Sequence, residues 1–271
     1  MHRLLSTLVL GALATTLAAC GHHAPPPAAP GSSSEDSALE GNDPDWPAGT
    51  PHKAAVAVEG TAASTSGEKL VAEVTRELKA MTSTRYRHKT NVDEDAGLFE
   101  FDCSGFVSYA LRSALPDAYA AVPAGPKGRA RAEDFTLYFA SLSADVAGGA
   151  FARVTRVSDL RAGDIVAWTR PADVEGTNTG HVAIVLDMPK NVGANEVAAG
   201  IGGAVEWLVP VADSTESPHA ADARGKSTTT GLGTGTIGLV TDTFGTPLGY
   251  RWKGGQSASA HATTVAMARP R

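Results

Sequence analysis

Between residues 68 and 81 apolar side chains recur at three- and four-residue intervals. Leu70, Val71, Val74, Leu78 and Met81 share one stripe, while Glu68, Lys69, Glu73, Arg76 and Lys79 are placed outward. That period predicts an amphipathic helix at the start of a folded region. A second helix is predicted from Cys103, through Phe106-Val107-Ser108-Tyr109-Ala110-Leu111, and a third over Ala132–Leu142 with Phe135, Phe139 and Leu142 facing inward. Beyond them the period shortens. The runs 164–168, 181–186, 205–211, 237–240 and 250–252 are short, β-branched or aromatic, and bounded by Gly, Pro or Asp, which predicts strands. Helices first and strands afterwards is an α+β arrangement with an antiparallel sheet. The glycine-rich stretch 231–238 is expected to be a loop or tight turns beside the sheet.

The two ends read differently. Arg3 precedes an uncharged run, Leu4 to Ala19, that is shorter than the roughly 20 residues of a bilayer span and ends in Leu17-Ala18-Ala19-Cys20. Residues 1–19 therefore read as a lipoprotein signal peptide, with Cys20 the site of lipidation. Residues 20–66 are rich in Ala, Pro, Ser, Gly and Thr and too poor in large apolar side chains to order themselves, so they read as a flexible tether of about 35–40 Å rms span. Residues 67–253 form one domain of ordinary size, and 254–271 are expected to be a disordered tail. The chain has 29 acidic against 23 basic side chains, and losing Arg3 takes its net charge from −6 to −7. With no basic patch, nucleic acid is excluded as a partner. Gly225-Lys226-Ser227 superficially resembles the end of a phosphate loop, but Ala220 stands where that motif needs glycine.

Chemistry concentrates at one thiol. With Cys20 assigned to lipidation, Cys103 has no disulfide partner. It sits in Phe101-Asp102-Cys103-Ser104-Gly105-Phe106-Val107, at the first turn of a predicted helix, where unpaired N–H groups favour thiolate over thiol. A cysteine nucleophile needs a base, and of the 8 histidines only His88, His181 and His219 lie within the domain. His181 opens the strand Gly180-His181-Val182-Ala183-Ile184-Val185 and is the expected base. Asp213, ending the next long strand, is preferred as the group that orients it, and His219 is the competitor. The cysteines and histidines show no metal-ligand spacing, and no cofactor is called for.

Three blocks in this order, 102–107, Leu160-Arg161-Ala162-Gly163-Asp164-Ile165-Val166-Ala167-Trp168 and 180–185, resemble the NlpC-type cell-wall cysteine peptidases. The resemblance covers about residues 70–215. It implies a papain-like fold, with the cysteine at a helix start packed against the sheet that carries the histidine. It also implies cleavage of amide bonds in peptidoglycan stem peptides, often between D-glutamate and a diamino acid. On it Cys103 is the nucleophile, His181 the base and Asp213 the third catalytic residue; Tyr86, Asp102 and Ser104 match substrate-contacting positions, and His219 is assigned to substrate binding. Two features depart from the family: the third residue follows the base at 32 residues' remove, and Arg87-His88-Lys89 replaces a small glycine-rich segment. The expected protein is a monomeric hydrolase, lipid-anchored at a bacterial membrane facing the periplasm. The alternatives are a catalytically silent wall-binding or assembly module, and a thiol amidase or acyltransferase on another substrate.

Overall fold

The computed structural model describes residues 65–143, 148–225 and 229–271. The expected signal peptide, Cys20 and nearly all of the tether lie outside the described residues. The first element, α1 (Ser66–Ala80), opens with a reciprocal cap: the Thr65 hydroxyl accepts from the Glu68 N–H, and the Glu68 carboxylate accepts from the Thr65 N–H. Three short strands follow, β1 (Ser83–Arg85), β2 (Asn91–Asp93) and β3 (Leu98–Glu100), forming a small sheet in the order β1-β3-β2. Three helices come next: α2 (Cys103–Ala114), α3 (Pro116–Ala121) and α4 (Ala132–Ser141). The rest is mostly strand: β4 (Phe151–Val154), β5 (Ile165–Thr169), β6 (Gly180–Val185), β7 (Lys190–Gly193), β8 (Val205–Thr215), β9 (Gly231–Thr241), β10 (Pro247–Arg251), β11 (His261–Ala262) and β12 (Val265–Pro270), with one short helix, α5 (Glu196–Ala199), between β7 and β8.

These nine strands make an antiparallel sheet in the order β11-β10-β9-β8-β6-β5-β12-β4, with β7 beside β8. The α+β class expected from the sequence is observed. Alternation along each strand sends residues to two cores. Ile165, Ala167, Val182, Ile184 and Ala212 face the helices and pack with Leu70, Phe106, Leu111, Phe135 and Phe139. Val166, Trp168, Ala183, Val185, Val211, Ile237 and Tyr250 form the opposite core. The sheet curls around that second core: Trp168 of β5 stacks on Tyr250 of β10 at 4.6 Å, although three strands separate them in the sheet order.

The structure corrects three expectations. Residues 254–271 are not a disordered tail: β12 pairs with β5 on one side and β4 on the other, and Met267 and Ala268 are buried in the two cores. The stretch 231–238 is not a loop but most of β9, in register with β8 from Val205↔Thr241 to Thr215↔Gly231. Its glycines are explained by what lies above them. A Cβ at Gly235 would come within 2.7 Å of the His219 Cβ, and one at Gly233 within 2.8 Å of the Arg224 side chain. Finally, Glu73 does not face out. It is 3 % exposed, salt-bridged to Arg76, which also grips Glu94. Glu77, one turn on, is fully buried and neither carboxyl oxygen has a hydrogen-bond partner.

Candidate active site

The start of α2 follows from local rules. Asp102 is its N-cap: Oδ1 accepts the Gly105 N–H at 2.7 Å, which leaves the Cys103 and Ser104 N–H groups with no acceptor inside the helix. Non-local structure then places this helix start against the sheet. β6 and β8 pair only at Ile184↔Ala212 and Val185↔Val211, and beyond that point they part. The chain leading into α2 sits at this opening, tied to β8 by the Ser214 hydroxyl, which donates to the Phe101 carbonyl at 2.5 Å. Cys103 is 5 % exposed, and its sulfur accepts the backbone N–H of Val182, the residue after His181.

His181 enters the sheet through Gly180, whose φ of 133° belongs to glycine alone; a Cβ there would lie 1.9 Å from the Trp168 carbonyl oxygen. The His181 Nε2 meets Asp213 Oδ2 at 2.5 Å, and its Nδ1 has no hydrogen bond among the described residues. His219 Nε2 meets the same oxygen at 2.7 Å, while its Nδ1 lies 2.9 Å from the Trp252 carbonyl. Both His219 nitrogens therefore face acceptors, and only the doubly protonated ring satisfies both. Arg224 closes the set: Nη2 donates to Asp213 Oδ1 at 2.8 Å, and Nε donates to Asp222 at 2.8 Å. Two carboxylates thus face a guanidinium and an imidazolium, so the buried network is neutral when His181 is neutral.

The protonation preferences agree with this geometry. Burial pushes the His181 pKa down, against the pull of Asp213, and the ring rests neutral. Burial works the same way on His219, but Asp213 and the Trp252 carbonyl outweigh it and the net shift is upward. Burial would raise Asp213, yet the cationic His219 and the two imidazole hydrogen bonds hold it well below the ordinary carboxylate range. Cys103 contradicts the expectation of a ready thiolate. Burial and the neighbouring Asp102 charge push the thiol up, and the Val182 N–H and the helix start do not offset them. No hydrogen bond joins the thiol to the imidazole in this resting arrangement.

The site residues expected from the sequence divide cleanly. Cys103, His181 and Asp213 are brought together. The His219 side chain is fully buried, both its nitrogens are engaged and it does not line the cleft; it meets the same Asp213 oxygen as His181, with the two rings 6.0 Å apart. Asp102 and Ser104 are bound into the protein's own network. Asp102 accepts from Gly105, from the Ser104 hydroxyl at 3.0 Å and from both Nη atoms of Arg129 at 3.2 and 2.5 Å. Burial would raise its pKa, yet His88, 3.6 Å away, the Arg129 guanidinium and the Gly105 N–H bring it down to about 2. Ser104 also accepts from Arg129 at 2.8 Å. Tyr86 does line the cleft beside His181, and its hydroxyl pKa is pushed up by burial and by Cys103.

That cleft has a volume of about 340 Å³ and is lined by Tyr86, Glu216, His181, Trp168, Tyr250 and Arg170 among others. The sequence reading missed Arg129, Asp222, Arg224, Trp252 and Arg170. Only Arg224 left a trace, in the alternate glycines of β9 that make room for it. Asp213 and His219 were alternatives for one place beside His181 in the sequence reading; in the structure both converge on it, with ligand-type atoms of the three within 4.8 Å of one another. Among the described residues these three are the ones able to hold a metal ion. However, both Nε2 atoms stand at hydrogen-bond distance from one carboxylate oxygen, and Arg224 holds the other, so the donor set fits protons better than a cation. Compared with known proteins, the chain matches no family model, no curated sequence and no solved structure.

Proposed function

We propose that the protein is a cysteine hydrolase that cleaves amide bonds in peptidoglycan stem peptides. The observation that carries this reading is His181, tethered through Nε2 to a buried carboxylate, with Nδ1 left open in the strand whose next residue touches the Cys103 sulfur. An imidazole fixed by one nitrogen and free at the other is what a base for a neighbouring thiol requires. Since thiol and imidazole both rest neutral, the proton moves as the substrate is attacked. Cys103 Sγ leaves the Val182 N–H, bonds to the scissile carbonyl carbon and passes its proton to His181 Nδ1. Asp213 stabilises the imidazolium so formed, and the free N–H groups at the start of α2 receive the oxyanion. The imidazolium then protonates the departing amine. Water hydrolyses the thioester, giving a carboxylic acid and the free thiol. The peptidoglycan substrate and the papain-like assignment come from the NlpC-type resemblance, and the lipid anchor at Cys20 from the run Leu17-Ala18-Ala19-Cys20 that ends the apolar N-terminal stretch.

Purified peptidoglycan incubated with the wild type should release peptide fragments identifiable by mass, and Cys103→Ala should release none. A second reading is supported by the buried thiol, which bonds to a backbone N–H instead of the imidazole: a wall-binding module that retains the site without turning over. Binding to peptidoglycan with no fragments from either protein would favour that module.

A further inference from the structure

The cleft beside His181 contains a cation that the proposed chemistry does not use. Arg170 begins the loop joining β5 to β6 and lines the cleft. Its Nε donates to the Asn178 carbonyl at 3.0 Å and its Nη1 to the Val174 carbonyl at 2.6 Å, both within the same loop. The loop is closed at its base by the Arg170 N–H, which donates to the Thr179 carbonyl at 3.1 Å. Those bonds fix the guanidinium plane but neutralise none of its charge. Among the described residues no carboxylate pairs with Arg170: of the two acids in its own loop, Asp173 is engaged by His261 at 2.9 Å, and Glu175 stands within 4 Å of no cationic nitrogen. A guanidinium has five N–H donors. Two go to carbonyls, which leaves one on Nη1 and both on Nη2. Two donors on adjacent nitrogens of a fixed plane match the two oxygens of a carboxylate.

Beside the base the cleft wall is apolar: Trp168 contacts the His181 ring at 5.1 Å and stacks on Tyr250. Glu216, of opposite charge to Arg170, also lines the cleft. A ligand in the cleft therefore meets the imidazole, flat apolar walls, and one group of each charge. We infer that Arg170 binds a free carboxylate of the substrate, so that the site selects peptides bearing a carboxylate over their carboxamide counterparts. The inference rests on the hydrolase reading for the ligand being a peptide, and it assigns to Arg170 a specificity role in that site.

The test uses the full chain carrying Cys103→Ala, so that binding is read without turnover. Calorimetry compares a peptidoglycan stem tetrapeptide with free carboxylates against the same peptide fully amidated. The acid should bind about tenfold more tightly than the amide, a difference of about 1.4 kcal/mol. Adding Arg170→Gln should equalise the two ligands, and Arg170→Lys, which keeps the charge but not the fork, should retain part of the preference. Equal affinity for acid and amide with Arg170 present, no binding of either, or a preference that survives Arg170→Gln would overturn the assignment. Turnover of peptidoglycan by the wild type is scored separately. A carboxylate preference dependent on Arg170 without any fragment release would retire the hydrolase and keep the carboxylate site.

Discussion

Replacing Asp213 by Asn removes one negative charge from a buried set of four. Asp213 and Asp222 balance Arg224 and the doubly bonded His219, and the Asp213 and His219 side chains are fully buried. Asparagine leaves one uncompensated cation where water does not reach. Breaking a buried ion pair in this way costs about 3–5 kcal/mol, a large share of the ~5–15 kcal/mol that holds a domain together. His219 relieves part of the cost by giving up its proton, so the penalty should deepen as the pH falls below about 6.5, where the unfolded chain's imidazole protonates. Removing His219 as well restores the balance. Asp213→Asn/His219→Asn should therefore lose less stability than the two single variants added together, by ~1–3 kcal/mol, whereas unrelated sites add within ~0.5 kcal/mol. Urea denaturation of the four proteins at pH 7 and pH 5.5 measures both effects. Additive losses, or an Asp213→Asn variant as stable as wild type at both pH values, would refute the charged network and the imidazolium assignment with it.

Other outcomes follow from the same geometry. His181 and His219 should show opposite pH linkage. The lowered His181 pKa gives stability at higher pH that is lost on acidification below its unfolded value; the raised His219 pKa gives stability at lower pH that is lost as pH rises through its folded value. His181→Asn should thus lose stability toward alkaline pH and His219→Asn toward acid, as read by melting at stepped pH. Iodoacetamide should alkylate Cys103 only at alkaline pH in the resting protein, since burial and Asp102 raise the thiol; rapid labelling at pH 6 would mean a preformed thiolate. Glu77→Met should stabilise the fold at pH 7 by ~1–3 kcal/mol, because a buried carboxyl without partners is removed. Burial raises the Glu77 pKa, so this gain should shrink toward pH 4, where the wild-type carboxyl is neutral, and a gain independent of pH in urea titrations would contradict it. Gly235→Ala should displace His219 and lower kcat on peptidoglycan while leaving Cys103 in place, visible as reduced fragment release with the pH dependence of Cys103 alkylation in the folded protein unchanged.

The amino-acid sequence determined what depends on near neighbours. A helix starting at Cys103 follows from the Asp102 cap and the apolar spacing of Phe106, Val107 and Leu111, and a strand starting at His181 follows from its β-branched run. The proposed nucleophile and base were therefore legible, because each occupies the end of an element that local rules define. The tertiary structure decided what depends on distant pairing. Asp213 and His219 were alternatives for one place beside His181 until β8 and the loop after it set both imidazoles on one Asp213 oxygen. Arg129 engages Asp102 and Ser104 across 25–27 residues of sequence. The last strand, β12, is six residues, Val265-Ala266-Met267-Ala268-Arg269-Pro270, too short and too poor in β-branched or aromatic side chains to signal a strand by itself. It becomes central because β4 and β5, more than 90 residues earlier, present their open edges to it. Glu73 was assigned to solvent by its helical position, and it is buried because the turn carrying Glu94 folds over that face of α1 and draws Arg76 between the two acids. Periodicity records which side of an element is apolar; which charged groups end up inside is set by the partners that other segments bring.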